Sequence, residues 1–272
     1  MSETIVGLDI GTSSVRAIIG VFTENGELQI TGVGKAPSNG LRNGAIVNIE
    51  AAMSSVKNAI EAAEMMAGHE VLSVYTAIGG SQVSSMNSRG MVCVAGNSKG
   101  LQEITQKDIE RVLEAATAIP IDITRQIIHV IPQSYTIDGQ KGIKKPLNMI
   151  GMRLEAEIHI VTAAATSVEN IFRCISRAGF SVDDVRLKTL AAAEAVTTEE
   201  ERELGSIIID LGGGSTDALV IADGAPLCSV SVPIGGATVT NDISVIRGIS
   251  FESAERIKKS SGCCYEPLLD EV

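Results

Sequence analysis

The sequence contains no tryptophan, and aromatic residues make up only 3% of its 272 residues. Proteins that bind single-stranded nucleic acid stack the bases on aromatic side chains, and binding to a phosphate backbone requires clustered cations. This chain instead has a formal net charge of −11. Nucleic acid is therefore not a predicted partner, and the acidity is expected to serve solubility.

Long apolar runs are also missing. No stretch approaches the roughly 20 residues that a helix needs to cross a bilayer, and no secretory signal opens the sequence. The five cysteines are scattered, which favours reduced thiols over a disulfide framework, and the three histidines form no Ser-His-Asp pattern. We therefore expect a cytoplasmic protein without a hydrolytic triad.

The most informative stretch is SIIIDLGGGSTD, residues 206–217. Its isoleucines form a short apolar run that is typical of a strand buried on both faces. The glycines that follow allow positive φ and leave no Cβ in the way, so backbone N–H groups can converge on an anion. Asp210 lies between this strand and the loop, where a carboxylate beside a bound phosphate needs an intervening cation. The pattern predicts a phosphate site with Mg²⁺.

A second copy of this pattern occurs near the N-terminus, at GLDIGTSSVRA, residues 7–17. When the two copies are aligned, Asp9 matches Asp210 and Gly11 matches Gly212. An internal repeat of this kind predicts two related halves, each of which contributes a phosphate-binding turn.

The residues after each loop indicate strands. In a P-loop or Rossmann site the glycines open a helix, whereas here apolar residues alternate after both loops. Asn25-Gly26 and Asp223-Gly224 then interrupt the alternation, and both dipeptides are typical of type I′ hairpin turns. Two β-hairpins that face each other across a nucleotide resemble the actin-like ATPase fold.

The rest of the sequence predicts an α/β protein with duplicated mixed-sheet domains. Residues 1–81 and 162–202 are expected to form the first actin-like domain, and residues 203–272 to begin a second domain that is incomplete. Residues 82–161 have the pattern strand, strand, helix, strand, strand, which predicts a small inserted α+β subdomain. The alternative for these residues is a continuation of the first sheet.

Four motifs together resemble the FtsA family of bacterial cell-division proteins. They are LDIGTSSVRAIIG at 8–20, GMRLEAEIHIVTAA at 151–164, ERELGSIIIDLGGGSTDALV at 201–220 and VPIGGATVTNDIS at 232–244. The aspartate-glycine loops are shared by the whole actin superfamily, so they indicate only the fold. The insert and its exit motif, at 151–164, are what favour this family.

The resemblance implies a site for ATP and Mg²⁺. Asp9 and Asp210 would hold the metal through water, with Asp210 also a catalytic candidate. Glu194, on the helix that connects the halves, would orient the attacking water, and Glu255 and Lys258 would face the ribose and adenine. The phosphates would be held by residues of the two loops and of a later turn: Gly11, Thr12, Ser13, Ser14, Gly212, Gly213, Gly214, Ser215, Thr216, Gly235 and Gly236.

The same resemblance implies a scaffold that assembles with itself into filaments. It would connect the FtsZ ring to the inner face of the cell membrane at the division site and recruit later division proteins, partly through the insert. Any ATPase activity would be weak. Family members continue beyond the position of Val272, so we expect this chain to lack membrane tethering and one wall of the adenosine pocket.

Two other actin-like functions share part of the pattern. Exopolyphosphatases and guanosine-pentaphosphate phosphatases have a similar second loop, but a catalytic glutamate typically follows it where this chain has Asp217. A pilus-assembly scaffold with a similar insert would bind a short peptide of a membrane partner instead of FtsZ. Release of phosphate from polyphosphate distinguishes the first alternative from an FtsA-type scaffold.

Overall fold

The computed structural model describes residues 4–94 and 101–264. The predicted domain ranges also include residues 1–3, 95–100 and 265–272, which lie outside the described residues. The strands and helices fall into a first half, an insert within it, and a second half.

The first half starts with β1 (Thr4–Ile10), β2 (Ser14–Phe22), β3 (Leu28–Pro37), β4 (Leu41–Arg42), β5 (Ala45–Ile46), α1 (Ile49–Ala67) and β6 (Ser73–Ile78). The insert contains β7 (Val83–Cys93), β8 (Gln102–Glu103), α2 (Gln106–Thr117), β9 (Arg125–Ile137), β10 (Gln140–Ile143), β11 (Ile150–Gly151) and β12 (Arg153–Ala164). The first half then resumes with α3 (Ala165–Ala178), β13 (Ser181–Leu187) and α4 (Lys188–Val196). The second half follows with α5 (Glu199–Leu204), β14 (Ser206–Leu211), β15 (Thr216–Ala222), β16 (Ala225–Val232), α6 (Gly236–Arg247) and α7 (Phe251–Ser261).

The first half is built on a mixed sheet of order β13-β6-β1-β2-β3. β1 pairs antiparallel with β2 and parallel with β6, and β6 pairs parallel with β13. Helices α1 and α3 supply buried residues such as Ile60 and Ile175 to the same core as Val15 and Val74 of the sheet. α1 starts where the Asn48 side chain accepts the Ala51 N–H, and this cap satisfies one of the N–H groups that the first turn of the helix leaves without a partner.

The insert has a sheet and a core of its own. Its antiparallel sheet has the order β10-β9-β12-β7. Ile158 and Ile160 of β12 share a buried cluster with Val112 of α2, separate from the core of the first half. The sheet also touches the second half, because Ser85 Oγ donates to Ser229 O at 2.9 Å and Asn87 Nδ2 donates to Leu227 O at 2.9 Å.

The second half contains the antiparallel sheet β14-β15-β16, followed by α6 and α7. One face of this sheet packs on α4, where Ile208 and Leu219 form a small cluster with Ala193. On the other face, Ile207 and Ile209 are 68% and 60% exposed. The expectation that this strand is buried on both faces is therefore wrong for the described structure: antiparallel sheets can bury a single face.

The two predicted hairpin turns differ. Asp223 and Gly224 have φ values of 51° and 72°, as a type I′ turn requires. At Asn25-Gly26 only the glycine has positive φ, 79°, and the loop closes through the Thr23 N–H to Glu27 O at 2.9 Å. The prediction of a type I′ turn is confirmed for the second dipeptide and wrong for the first, where the loop is wider.

In the described parts of the chain, no helix combines the length and apolarity needed to traverse a lipid bilayer.

Gly34 allows strand β3 to lie directly against helix α1. A Cβ at Gly34 would stand 1.9 Å from Ala59 O and 2.6 Å from the backbone nitrogen of Ala63. Both atoms belong to the helix backbone and cannot rotate away. A methyl group here therefore forces the helix off the sheet.

We expect Gly34→Ala to destabilise the protein by about 1–3 kcal/mol, the usual cost of an overpacked core. Gly7→Ala in the same sheet is the matched control, because a Cβ at Gly7 would meet nothing within 4 Å. Urea unfolding followed by circular dichroism measures both. Equal stabilities for the two variants would contradict this close contact.

Candidate functional site

The two predicted phosphate loops form equivalent turns. The Gly11 N–H donates to Ser14 O at 3.2 Å, and the Gly212 N–H donates to Ser215 O at 2.9 Å. A Cβ at Gly11 would lie 2.9 Å from Ser14 O, and one at Gly212 would lie 2.8 Å from Ser215 O. The internal repeat in the sequence therefore corresponds to a repeated local structure that requires glycine at the same position.

The two loops abut each other. A Cβ at Gly213 would lie 2.0 Å from Ser13 Oγ, and one at Gly214 would lie 2.8 Å from Asn43 Cα. The Thr12 hydroxyl accepts the N–H of Gly44 at 3.0 Å, which holds the first loop against this neighbouring turn. Within residues 4–94 and 101–264, the backbone N–H groups of Thr12, Ser13, Gly213 and Gly214 donate to no other group. Two sets of uncommitted donors thus lie side by side.

The turn at Gly235-Gly236 supports the second loop. The N–H groups of Gly236 and Ala237 donate to Gly212 O at 3.0 Å and to Gly213 O at 2.8 Å. A Cβ at Gly235 would lie 2.6 Å from Gly212 O. The N–H groups at the start of α6 are therefore hydrogen-bonded to the second loop. A phosphate contact by Gly235 or Gly236 stays a prediction, and it would require Gly236 to exchange its present partner.

Asp9 and Asp210 lie on opposite halves with a lysine between them. Lys188 Nζ is 3.5 Å from Asp9 Oδ1 and 3.1 Å from Asp210 Oδ2. The lysine side chain is 29% exposed and the two carboxylates about as much. The ammonium group therefore stands where the sequence pattern predicted a metal cation.

Several contacts fix the position of Lys188. It is the first residue of α4, and the preceding Leu187 donates its N–H to His129 Nε2 at 2.9 Å. Burial, together with the charge of Arg186, lowers the pKa of His129, which favours the neutral imidazole that accepts this bond. The aliphatic stem lies along Gly79, where a Cβ would be 3.4 Å from Lys188 Cβ. Burial alone would lower the pKa of Lys188, but the charges of the surrounding aspartates outweigh it and raise that pKa.

Asp217 is a third carboxylate of this cluster, and it is buried. Its Oδ1 accepts the N–H of Gly80 at 2.9 Å, and its Oδ2 accepts the Ser215 hydroxyl at 3.1 Å. The first of these bonds joins the second half to the loop after β6 in the first half. Asp217 therefore fastens the two halves together and adds negative charge next to Lys188.

An open cavity of about 710 Å³ begins beside the two loops. Thr12, Ser13 and Gly213 of the two loops line it, together with Glu255 and Lys258 of α7. Lys258 Nζ lies 2.7 Å from Glu255 and donates to Gly236 O at 3.0 Å, so the pair also joins α7 to α6. Other lining residues, which the sequence analysis missed, are Ser38, Arg42, Asn43, Asn241, Phe251 and Lys259.

Glu194 is not brought to this site. Its side chain is 66% exposed, pairs with Arg202 at 3.4 Å, and lines neither the large cavity nor the narrow one beside Lys188. Thr216 is at the start of β15, where its hydroxyl donates to Ile234 O at 2.7 Å. The other predicted residues lie in or next to the two loops or on the cavity wall.

Sequence reasoning did not select Lys188 as a site residue. One signal was present: a cation in the first turn of a helix is unfavourable with respect to the helix dipole, unless it faces acidic groups. Because Lys188 is separated from both aspartates in sequence, only the fold shows that they meet. Among the described residues, no group of three or more His, Cys, Asp or Glu side chains is placed to hold a metal ion.

Glu255 gives this end of the site a pH dependence. Hydrogen bonds from Lys258 and from Thr240 lower the pKa of Glu255 from 4.5 to about 2. A depressed carboxyl pKa contributes stability that is present above the unfolded value and is lost as the pH falls through the folded value. The relevant window therefore runs from about pH 4.5 down to about pH 2.

We expect the stability difference between the wild type and Glu255→Gln to be constant from pH 7 to pH 5 and to shrink below about pH 4.5. Urea unfolding at a series of pH values measures this difference. Glu61→Gln is the control, because Glu61 forms only an exposed ion pair with Lys57 on α1. A Glu255→Gln difference that does not change between pH 5 and pH 3 would contradict the assigned contacts.

Comparison with known proteins identifies the family and the fold of this chain. The model of the SHS2 domain inserted in FtsA matches residues 80–162, and the model of cell division protein FtsA matches residues 207–272. The chain is similar to a protein of type IV pilus biogenesis in the PilM-PilN complex, with a TM-score of 0.70, 18% identity and coverage of 98% of this chain and 73% of the other. This likeness shows a shared fold, and the predicted actin-like ATPase fold is confirmed.

Two relatives are similar over almost the whole chain. The cell division protein FtsA of Borreliella burgdorferi is 44% identical, with 98% of this chain and 64% of the relative covered. The cell division protein FtsA of Pseudomonas aeruginosa is 42% identical, with 98% of this chain and 63% of the relative covered. The chain thus spans less than two thirds of the length of these relatives. With both models and these relatives in agreement, the chain belongs to the FtsA family of cell division proteins.

Proposed function

We propose that the chain is the nucleotide-binding part of a cell-division scaffold and that its ligand is ATP. The observation that supports this most is the pair of equivalent glycine loops, one from each half, which meet at one end of a cavity of about 710 Å³. Cavities of roughly 300–1,000 Å³ are typical of small-molecule sites. Uncommitted backbone N–H groups at the junction of the loops would receive the phosphates.

The charges on the cavity wall suit the same ligand. Arg42 lines it and would balance phosphate charge. The ring of Phe251, half exposed, and the amide of Asn241 are also on the wall. An aromatic face and an amide are suited to a nucleobase, so we place the adenosine end near α7. Glu255 and Lys258 would contact it there.

The residues present do not fit a magnesium ion held between Asp9 and Asp210. The ammonium of Lys188 already lies within 3.5 Å of both carboxylates. A magnesium ion held there with its usual water shell would have to displace this ammonium. We therefore assign no step to a metal bound between these side chains, and we assign no hydrolytic step to Glu194.

Family membership supports the scaffold part of the proposal. We propose that the protein acts at the inner face of the cell membrane at the division site, assembles with itself, and connects the FtsZ ring to later division proteins. Residues 82–161 would provide a partner-binding unit, because they form their own sheet and match the model of a domain inserted in FtsA. The alternatives, a polyphosphate hydrolase and a pilus-assembly scaffold, have no observation that favours them over this family.

The nucleotide site is tested by Gly214→Ala. A Cβ at Gly214 would stand 2.8 Å from Asn43 Cα and 3.0 Å from the Asn43 backbone nitrogen, so the added methyl must push the two loops apart. We expect the affinity for ATP to fall by about tenfold or more, because misplaced donors lose their contact with the phosphates. Isothermal titration calorimetry with ATP, in EDTA and in Mg²⁺, measures the dissociation constants.

Gly7→Ala is the control for a glycine-to-alanine change, since it adds a methyl in β1 of the first half without a clash. It should bind ATP like the wild type. A wild type that binds no ATP in either buffer, or a Gly214→Ala variant that binds it as well as the control, would overturn the proposed site. Release of phosphate from polyphosphate by the wild type would instead support the hydrolase alternative.

A further inference from the structure

The cluster of Asp9, Asp210 and Asp217 places carboxylates from both halves beside the junction of the loops. Carboxylates next to bound phosphate repel it unless a cation lies between them. In this chain the cation is supplied by the protein, because Lys188 Nζ lies 3.5 Å from Asp9 and 3.1 Å from Asp210.

We propose that Lys188 takes the place of a divalent cation, so that this clamp excludes metal from its carboxylate pair and binds nucleotide without needing Mg²⁺ there. The nucleotide half of this statement rests on the proposed function. The metal half stands on the geometry of Lys188, Asp9 and Asp210 alone.

The position of Lys188 is built into the fold. The start of α4 is fixed by the bond from the Leu187 N–H to His129 Nε2, at 2.9 Å. The stem of the lysine passes along Gly79, with Cβ and Cδ at 3.4 and 3.5 Å from where a glycine Cβ would lie. The lysine stem thus packs close to the backbone of Gly79. The bond from Leu187 to His129 and the packing on Gly79 therefore hold the ammonium group between the carboxylates.

A lysine and a magnesium ion satisfy the carboxylates differently. The ammonium carries a single charge and three donors on a fixed stem, whereas Mg²⁺ carries two charges and demands octahedral oxygen ligands. A metal entering the pair must displace the ammonium, which lies within 3.5 Å of both carboxylates. The structure therefore favours the lysine over the metal.

The test is a titration with Mn²⁺ alone, followed by electron paramagnetic resonance of the free ion, on the full chain without nucleotide. We expect Lys188→Met to bind Mn²⁺ at least about tenfold more tightly than the wild type, because it frees the carboxylate pair and removes a competing positive charge. Lys188→Arg keeps the charge and should behave like the wild type. Lys57→Met, on the exposed face of α1, is the matched control for loss of a lysine.

A wild type that binds Mn²⁺ as tightly as Lys188→Met overturns the proposal. If Lys188→Met does not fold, the wild type alone tests the proposal. Submillimolar Mn²⁺ binding by the wild type that disappears in the Asp9→Asn, Asp210→Asn double variant would overturn the proposal. Absence of such binding would support it. Circular dichroism checks the folding of each variant.

A second measurement concerns the nucleotide. The dissociation constant for ADP should differ by less than about threefold between EDTA and Mg²⁺ in the wild type, and by about tenfold or more in Lys188→Met. A wild type that binds ADP only with Mg²⁺ overturns the proposal. If neither protein binds ADP in any buffer, the proposed nucleotide function fails, while the Mn²⁺ titration still decides the role of Lys188.

Discussion

The close contact of Gly213 and Gly214 with the first loop and with the turn at Asn43 is the constraint on which the site depends. Gly213 meets Ser13, and Gly214 meets the backbone of Asn43, at distances that leave no space for a Cβ. Each loop also has an internal bond from a glycine N–H to a serine carbonyl. Larger residues would separate the halves and leave the backbone N–H donors of the two loops too far apart to share one anion.

The charge around this contact is balanced by the chain itself. Asp9, Asp210 and Asp217 would repel one another and any phosphate, but Lys188 neutralises part of their charge at short range. Asp217 has a second role, because its bond with the Gly80 N–H crosses between the halves. Electrostatics and closure are thus coupled: the groups that hold the halves together are the groups that set the potential at the loops.

The sequence predicted what depends on local pattern. The repeat of Asp9-x-Gly11 at Asp210-x-Gly212 and the hairpin at Asp223-Gly224 both follow from backbone requirements of a few neighbouring residues. It did not predict Lys188 between the aspartates, or the use of the Gly236 N–H by the second loop, because both depend on how distant segments pack. The prediction that Ile207 and Ile209 are buried was wrong for a related reason. An apolar run indicates a hydrophobic strand, but it does not show whether one or both faces of the sheet are packed against other elements.

These features make closure of the clamp less dependent on ligand. A ligand shifts a conformational equilibrium only by the difference in its affinity for the two states. Lys188 and Asp217 join the halves, through Asp210 in one case and Gly80 in the other. Part of the interaction that holds the halves together therefore comes from the chain's own side chains. Binding of the proposed nucleotide would then contribute more to affinity and less to movement of one half against the other.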